Sequence, residues 1–340
     1  MSSNLALYRK YRPKDFEGVL GQDHIVKVLE KSIKDGSLSH AYLFIGSRGT
    51  GKTSVARIFA KDIGVSVNDL YEIDAASNRG IDDVRELRDG VSSLPFDSKY
   101  KVYILDEVHM FTKEAWNTLL KTLEEPPKHV IFILATTELG KVPDTIVSRC
   151  QVFNFKKPTD IILKNSILDI ADQEGYELEP GVAELVAILG DGSFRDTLGY
   201  LQKVLNFTKG KKVNMENVEA ITGIPKNSLV NNLILAIANK DLTFGLENIR
   251  EASNANMDMQ LLLKLVIMKF RLAVIMRYAP KFEEEMKGDM SNEDLNFLKN
   301  LVKEKKDNLN SSVLTKLLEA YQNIDNSFIA ELPIELALIK

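Results

Sequence analysis

The 340-residue sequence holds a single cysteine, Cys150, and a single tryptophan. One thiol can form neither an intrachain disulfide nor a cysteine-rich zinc site, and such usage fits a reducing, cytoplasmic setting. With only 10 prolines and 19 glycines, the chain is neither collagen-like nor disordered. No internal repeat or low-complexity segment is present. The most apolar stretch, 257–278, is interrupted by Lys264, Lys269 and Arg271, charges that are costly in lipid. It reads as a buried bundle helix, and no membrane partner is expected. The opening MSSNLALYRKYRP lacks the apolar core of a signal peptide. Neither sign of charge dominates, since the net charge is −4. That argues against a uniformly basic coat for nucleic acid.

What is present is an ordinary globular composition, 44% hydrophobic and 27% charged, with length enough for two or three domains. The charge is uneven. Residues 1–60 carry ten Lys/Arg against five Asp/Glu, so a basic opening sits on an acidic chain. This asymmetry suggests a local anionic ligand.

Short apolar runs at 41–45, 70–73, 102–105, 130–135 and 152–155 read as buried strands. Helical spacing separates them at 55–62, 81–92, 113–123 and 143–148. This alternation predicts an α/β unit with a parallel sheet covered by helices on both faces. After Lys157-Pro158 the strand pattern stops, and helical spacing takes over at 159–174, 181–189, 193–207 and 215–221. Gly223-Ile224-Pro225 marks a second break, beyond which the chain reads as all helix.

Gly46-Ser47-Arg48-Gly49-Thr50-Gly51-Lys52-Thr53 satisfies G-x-x-x-x-G-K-[ST] in full, after the strand at 41–45 and before a helix expected from Ser54. The glycines let backbone N–H groups wrap a polyphosphate, and the helix N-terminus adds positive potential. Lys52 is expected to reach the β- and γ-phosphates of ATP, and the Thr53 hydroxyl to ligate Mg²⁺. The strand Val102-Tyr103-Ile104-Leu105 ends in Asp106-Glu107. Asp106 would hold the magnesium, directly or through water, and Glu107 would orient and deprotonate an attacking water. The strand at 130–135 ends in Thr136-Thr137, and in a parallel sheet strand C-termini face the ligand crevice. One of these threonines would hydrogen-bond the γ-phosphate or the catalytic water. Arg149 is either an ordinary surface arginine or a finger presented to a neighbouring subunit's γ-phosphate.

The motifs resemble, in order, those of the bacterial clamp-loader ATPases, the AAA+ gamma/tau family of DNA polymerase III. Tyr11-Arg12-Pro13, Gly21-Gln22 and HAYLF (40–44) lead into the phosphate loop. EIDAASN (72–78), DEVHM (106–110), Asn117, LLKTLEEPP (119–127), Ala135-Thr136-Thr137, Ser148-Arg149-Cys150 and GSFRD (192–196) follow. The resemblance covers about residues 8–205. It implies an AAA+ P-loop core (1–157), a small helical lid (158–224) and a helical collar for oligomerisation (225–340). It also implies Thr137 as the sensor-1 hydroxyl, Arg149 as a trans-acting finger and Arg195 as the sensor-2 arginine in cis. Tyr11, Arg12 and Pro13 would border the adenine, and Gly46, Gly49, Thr50, Gly51 and Ser54 would complete the cofactor cradle. Cys150 would be a small buried residue of the following strand.

One departure concerns zinc. Most bacterial relatives carry a four-cysteine module between the first core helix and the next strand, but here that connection is only IGVSVND (63–69), so no zinc is expected. The sequence stops at Lys340 without the tether of a long tau form, which leaves a gamma-like short form or a truncated chain as alternatives. The implied partners are delta, delta-prime and further gamma subunits, a sliding clamp and primer–template DNA. Arg79, Arg85 and Arg88 are candidate DNA-phosphate contacts. The alternative is an exposed helix whose arginines pair with Asp82, Asp83, Glu86 and Asp89. Rival classes are a small subunit of the archaeal or eukaryotic loader, a non-hydrolysing structural loader subunit, and an AAA+ remodeller such as a branch-migration helicase.

Overall fold

The computed structural model describes residues 5–78, 80–282, 291–305 and 308–339. Two compact units divide the chain, Met1–Ser166 with Ala187–Gly199, and Ile167–Val186 with Tyr200–Lys340. The segment 158–224, expected as a separate lid, contributes to both.

In the first unit five strands pair in parallel: β1 (Ala41–Ile45), β2 (Leu70–Asp74), β3 (Lys101–Asp106), β4 (Val130–Thr136) and β5 (Gln151–Asn154). Their order is β2-β3-β4-β1-β5. Ile45 lies beside Thr136, and Leu105 beside Leu134. The ends of β1, β4 and β3 therefore fall next to one another on one edge. Strands β1, β3 and β4 are buried almost throughout, as apolar runs covered on both faces should be. The outer strands differ from expectation. In β5 only Phe153 is buried, and β2 is half open, because an edge strand has one neighbour and less helical cover.

Alternation along β1 sorts the core into two faces. Tyr42 and Phe44 pack with α2 (Asp23–Lys34) and α3 (Lys52–Asp62), through Ile25, Leu29, Val55 and Phe59. Ala41 and Leu43 pack on the other side with α4 (Ile81–Val91) and α5 (Lys113–Glu124), through Val84, Leu87, Trp116 and Leu119. Helix α2 goes beyond the expected elements, although Ile25 and Leu29 sit one turn apart on its buried face. Its start is tied down by fully buried Gln22, which donates to Lys156 O (2.7 Å) and accepts from Lys156 N (3.1 Å). Cys150 is partly buried and precedes β5 instead of lying in it, and burial pushes its thiol up to about 12.

The second unit packs helices Asn227–Asn239, Leu242–Asn254, Met259–Tyr278, Asn292–Glu304 and Ser311–Ile324 around Leu262, Val266 and Phe270. Among the described residues no helix is long and apolar enough to cross a membrane. Lys269, one of the charges within the apolar stretch, donates to Asn227 Oδ1 at 2.7 Å and pairs with Asp294. Burial lowers the Lys269 pKa, and the adjacent Asp294 carboxylate opposes that shift. This unit also corrects the all-helical expectation after 157. Glu177–Leu178 and Lys212–Val213 pair as a two-residue parallel ladder, too short to leave an alternating pattern in the sequence.

The short connection from α3 to β2 carries its own structural device. A helical turn at Val67–Asp69 places Asp69 fully inside the protein. Its carboxylate accepts N–H groups of Phe96 (2.6 Å), Asp97 (2.9 Å) and Ser98 (2.8 Å), anchoring the loop before β3. Burial alone would raise this carboxyl, but the converging N–H donors outweigh it and hold its pKa at about 2. Because the folded pKa lies below that of the unfolded chain, the ionised Asp69 stabilises the fold above the unfolded value. That contribution is lost as pH falls toward 2. Asp69→Asn is expected to lower the denaturation midpoint at neutral pH. The gap from the parent should stay constant above about pH 5 and narrow below it, as read by denaturant titration across pH.

Candidate active site

Residues 46–53 form the turn from β1 into α3, which begins at Lys52, two residues before the expected start. Gly49 (φ 75°) and Gly51 (φ 101°) adopt left-handed backbone that side chains disfavour. Buried Thr50 donates its hydroxyl to Ser47 O at 2.9 Å. Lys52 is only 6% exposed, and its ammonium donates to Gly46 O (2.7 Å) and Ser47 O (3.0 Å). Burial lowers its pKa, while Glu107 and Asp106 act in the opposite direction. Thr53, in the first turn of α3, donates to Asp106 Oδ2 at 2.6 Å. Ser54 follows it, half-buried. The hydroxyl and carboxylate anticipated as magnesium ligands thus meet, and an all-oxygen donor pair suits that hard cation.

Asp106 closes β3, and its other oxygen accepts the Glu107 N–H at 2.9 Å. Glu107 itself is left-handed (φ 50°), an uncommon state for a non-glycine residue. Thr137 Oγ1 donates to Glu107 Oε2 at 3.5 Å. The neighbouring Thr136 is fully buried and turned to other partners, His109 Nδ1 (3.2 Å) and the Glu138 N–H (3.0 Å). Of the two strand-end threonines, Thr137 is the one that meets the acidic pair.

Arg195 reaches this unit through the segment 187–199. Phe194 N–H donates to Gly49 O at 3.1 Å, and Ser193 packs directly on Gly49. The Arg195 guanidinium lies 5.3 Å from the centre of the Tyr8 ring. Nothing in the local sequence around Tyr8 marks it as a partner of Arg195. The phenol's pKa is lowered by a hydrogen bond and the charge of Arg9, with Arg195 adding to the effect. Arg12 is half-buried, and its pKa is lowered by burial and then by the charge of Arg57, with smaller contributions from Arg195 and Arg9. Among the described residues Glu72, which pairs with Arg57, opposes that shift. Tyr11 and Pro13 flank Arg12, both half-buried. Such a concentration of like charge suits an anionic ligand.

The remaining candidates lie elsewhere on the unit. Arg149 follows the short helix Asp144–Val147 and is held by Glu124 (2.6 Å) and Thr145 O (2.6 Å). Arg85 pairs with Asp82 (3.0 Å) and Arg88 with Asp89 (2.9 Å), all exposed. Arg79 lies outside the described residues.

A five-stranded parallel sheet in this order, with a phosphate loop after β1 and an acidic pair ending β3, defines the AAA+ class of P-loop proteins. Solved structures of the Thermotoga maritima RuvB Holliday junction branch migration motor share this fold. The match has a TM-score of 0.53 and 23% identity, over 67% of this chain and 79% of that one. The family model described as DNA polymerase III, delta subunit, matches residues 21–69 and 64–159. Curated relatives are more similar. The Bacillus subtilis DNA polymerase III subunit tau is 41% identical over 308 residues, 84% of this chain and 54% of the relative. The gamma subunit of Buchnera aphidicola is 37% identical over 257 residues, 69% of each chain. The Mycoplasma genitalium gamma/tau subunit is 42% identical over 256 residues, 69% of this chain and 43% of the relative. The chain belongs to the DNA polymerase III gamma/tau family. It spans about half the length of the Bacillus subtilis and Mycoplasma genitalium relatives, and more of the shorter gamma subunit.

The phosphate loop's geometry is testable without ligand. A Cβ at Gly49 would lie 2.0 Å from Ser193 Oγ and 2.9 Å from Ser193 Cβ. Gly49→Val should therefore cost about 1–2 kcal/mol for the left-handed backbone and a further ~1–3 kcal/mol for overpacking. Chemical denaturation should show this loss, with only partial relief on adding Ser193→Ala, because the Cβ contact remains.

Proposed function

We propose that this chain is an ATP-hydrolysing motor subunit of a clamp loader, opening a sliding clamp and placing it on primed DNA. The observation that carries the reading is the meeting of Thr53 with Asp106 at 2.6 Å beside the buried Lys52. Lys52 holds the β- and γ-phosphates, and the phosphate-loop N–H groups from Gly46 through Ser54 cradle the chain of oxygens. Thr53 and Asp106 would hold Mg²⁺, whose charge would offset that of the transferred phosphoryl group. Glu107 receives the proton of the attacking water, and Thr137 fixes that water or the γ-phosphate. Tyr11, Arg12 and Pro13 border the base, while Arg195 touches the nucleotide in cis.

In this reading Arg149 acts on a neighbouring subunit's nucleotide, so hydrolysis depends on assembly with delta, delta-prime and further copies in the cytoplasm. The three parts are the core (1–157), a lid (158–224) and a collar (225–340) that joins the subunits. ATP shifts such an assembly only by binding its tight interfaces better than its loose ones. Arg79, Arg85 and Arg88 are the proposed DNA-phosphate contacts, at which Arg85 and Arg88 exchange their carboxylate partners for phosphate. The fold likeness to a branch migration motor stops at 23% identity, whereas the gamma and tau relatives reach 37–42%.

The test is steady-state ATP hydrolysis by the assembled complex, with and without clamp and primed DNA. Clamp plus DNA should raise the rate. Glu107→Gln should reduce kcat about 100-fold or more while retaining nucleotide binding. Arg149→Ala should reduce hydrolysis in the assembly but not ATP binding. A rate indifferent to clamp and DNA would remove the loading function. Normal hydrolysis by the Arg149→Ala assembly would remove the finger.

A further inference from the structure

His109 lies in the DEVHM motif and has no part in the chemistry above, yet its ring stands beside Glu107, Thr136 and Glu138. It lies in the short helical turn Val108–Met110 that follows β3, with its side chain only 9% exposed. Its Nδ1 stands 3.4 Å from Glu107 Oε2 and 3.2 Å from Thr136 Oγ1. On the opposite side of the ring, Nε2 stands 3.6 Å from Glu138 Oε1. Glu138 is itself fixed, with its N–H on Thr136 Oγ1 at 3.0 Å and its carboxylate paired with Lys141 at 2.9 Å. The imidazole therefore spans from the last residues of β4 to the carboxylate that follows β3.

This matters because Glu107 has a demanding position. Its backbone is left-handed at φ 50°, held by Asp106 Oδ1 on its N–H (2.9 Å) and by Met110 N–H on its carbonyl (2.9 Å). Those bonds fix the main chain but leave the side-chain torsions of a glutamate free. Among the described residues the Thr137 hydroxyl at 3.5 Å and the His109 ring at 3.4 Å, both on Oε2, limit them. A general base contributes through placement as much as through basicity, and a displacement of about 1 Å at a reacting group can cost about 100-fold. The ring thus has the Thr136 hydroxyl and the Glu107 carboxylate beside one nitrogen and the Glu138 carboxylate 3.6 Å from the other, more polar company than filling the core requires.

We infer that His109 is a positioning residue for Glu107, holding the carboxylate that activates water through Nδ1 while Thr136 and Glu138 fix the ring. The inference rests on the reading of Glu107 as the base. Its consequence is a division of labour: His109 governs the hydrolytic step, whereas nucleotide affinity rests on the phosphate loop. The two ring nitrogens also have different weights. Asparagine places an amide nitrogen near the Nδ1 position and glutamine places one near Nε2, although glutamine is closer to histidine in size.

The test compares His109→Ala, His109→Asn and His109→Gln with Glu107→Gln in the full chain, assembled with its partner subunits. Readouts are single-turnover ATP hydrolysis, binding of a fluorescent ATP analogue and thermal stability. His109→Ala and His109→Gln should each lose about tenfold or more in the hydrolysis rate, with analogue affinity within about twofold of the parent. His109→Asn should keep the rate within about threefold. In the Glu107→Gln background His109→Ala should have no further effect, because it acts through the group already removed. Equal rates for the parent and His109→Ala would overturn the proposal. So would a glutamine variant that outperforms asparagine, or an undiminished effect of His109→Ala in the Glu107→Gln background. If Glu107→Gln hydrolyses ATP like the parent, the assignment of the base fails first, whatever His109 does.

Discussion

All five strands of the sheet run the same way, and that single constraint collects the site. Parallel pairing brings the ends of β1, β4 and β3 side by side, so the phosphate loop, the paired threonines and the acidic pair emerge on one edge. A hydrogen bond from the first turn of α3 to the last residue of β3 then joins two elements far apart in the chain. An antiparallel neighbour in place of β3 would deliver its N-terminus here and send Asp106 to the opposite edge.

The same edge carries electrostatic tension. Lys52 is withdrawn from water with its ammonium on two carbonyls, and Arg57, Arg195 and Arg9 all act on half-buried Arg12, with Glu72 opposing them. Buried or crowded cations lose hydration and repel each other, costs that a polyanion relieves. The fold supports this arrangement from outside the site, through Gln22 tying α2 to the chain after β5 and Phe194 tying Arg195's segment to the loop.

Much of this was legible because the relevant signals are local. The apolar runs of β1, β3 and β4 are long and continuous, since helices cover both faces, and the phosphate loop and acidic pair are contiguous motifs. Expectation failed where a structure depends on neighbours. The openness of β5 follows from its edge position, which no window of sequence states. The ladder of Glu177–Leu178 with Lys212–Val213 is too short to show a period. The stacking of Arg195 on Tyr8 joins residues from opposite ends of the first unit, and neither is marked as the other's partner by its own surroundings. His109 was visible within its motif, but its bridge to Thr136 and Glu138 required the strand order.

Cys150, the chain's single cysteine, has a practical consequence. Burial pushes its thiol up to about 12, so at neutral pH the nucleophilic thiolate is almost unpopulated. Alkylating reagents and mild oxidants should therefore find little to react with in the folded protein. A cysteine introduced on the exposed surface would then be the one fast-reacting thiol, and a fluorophore or spin label could be attached there without first deleting the native residue.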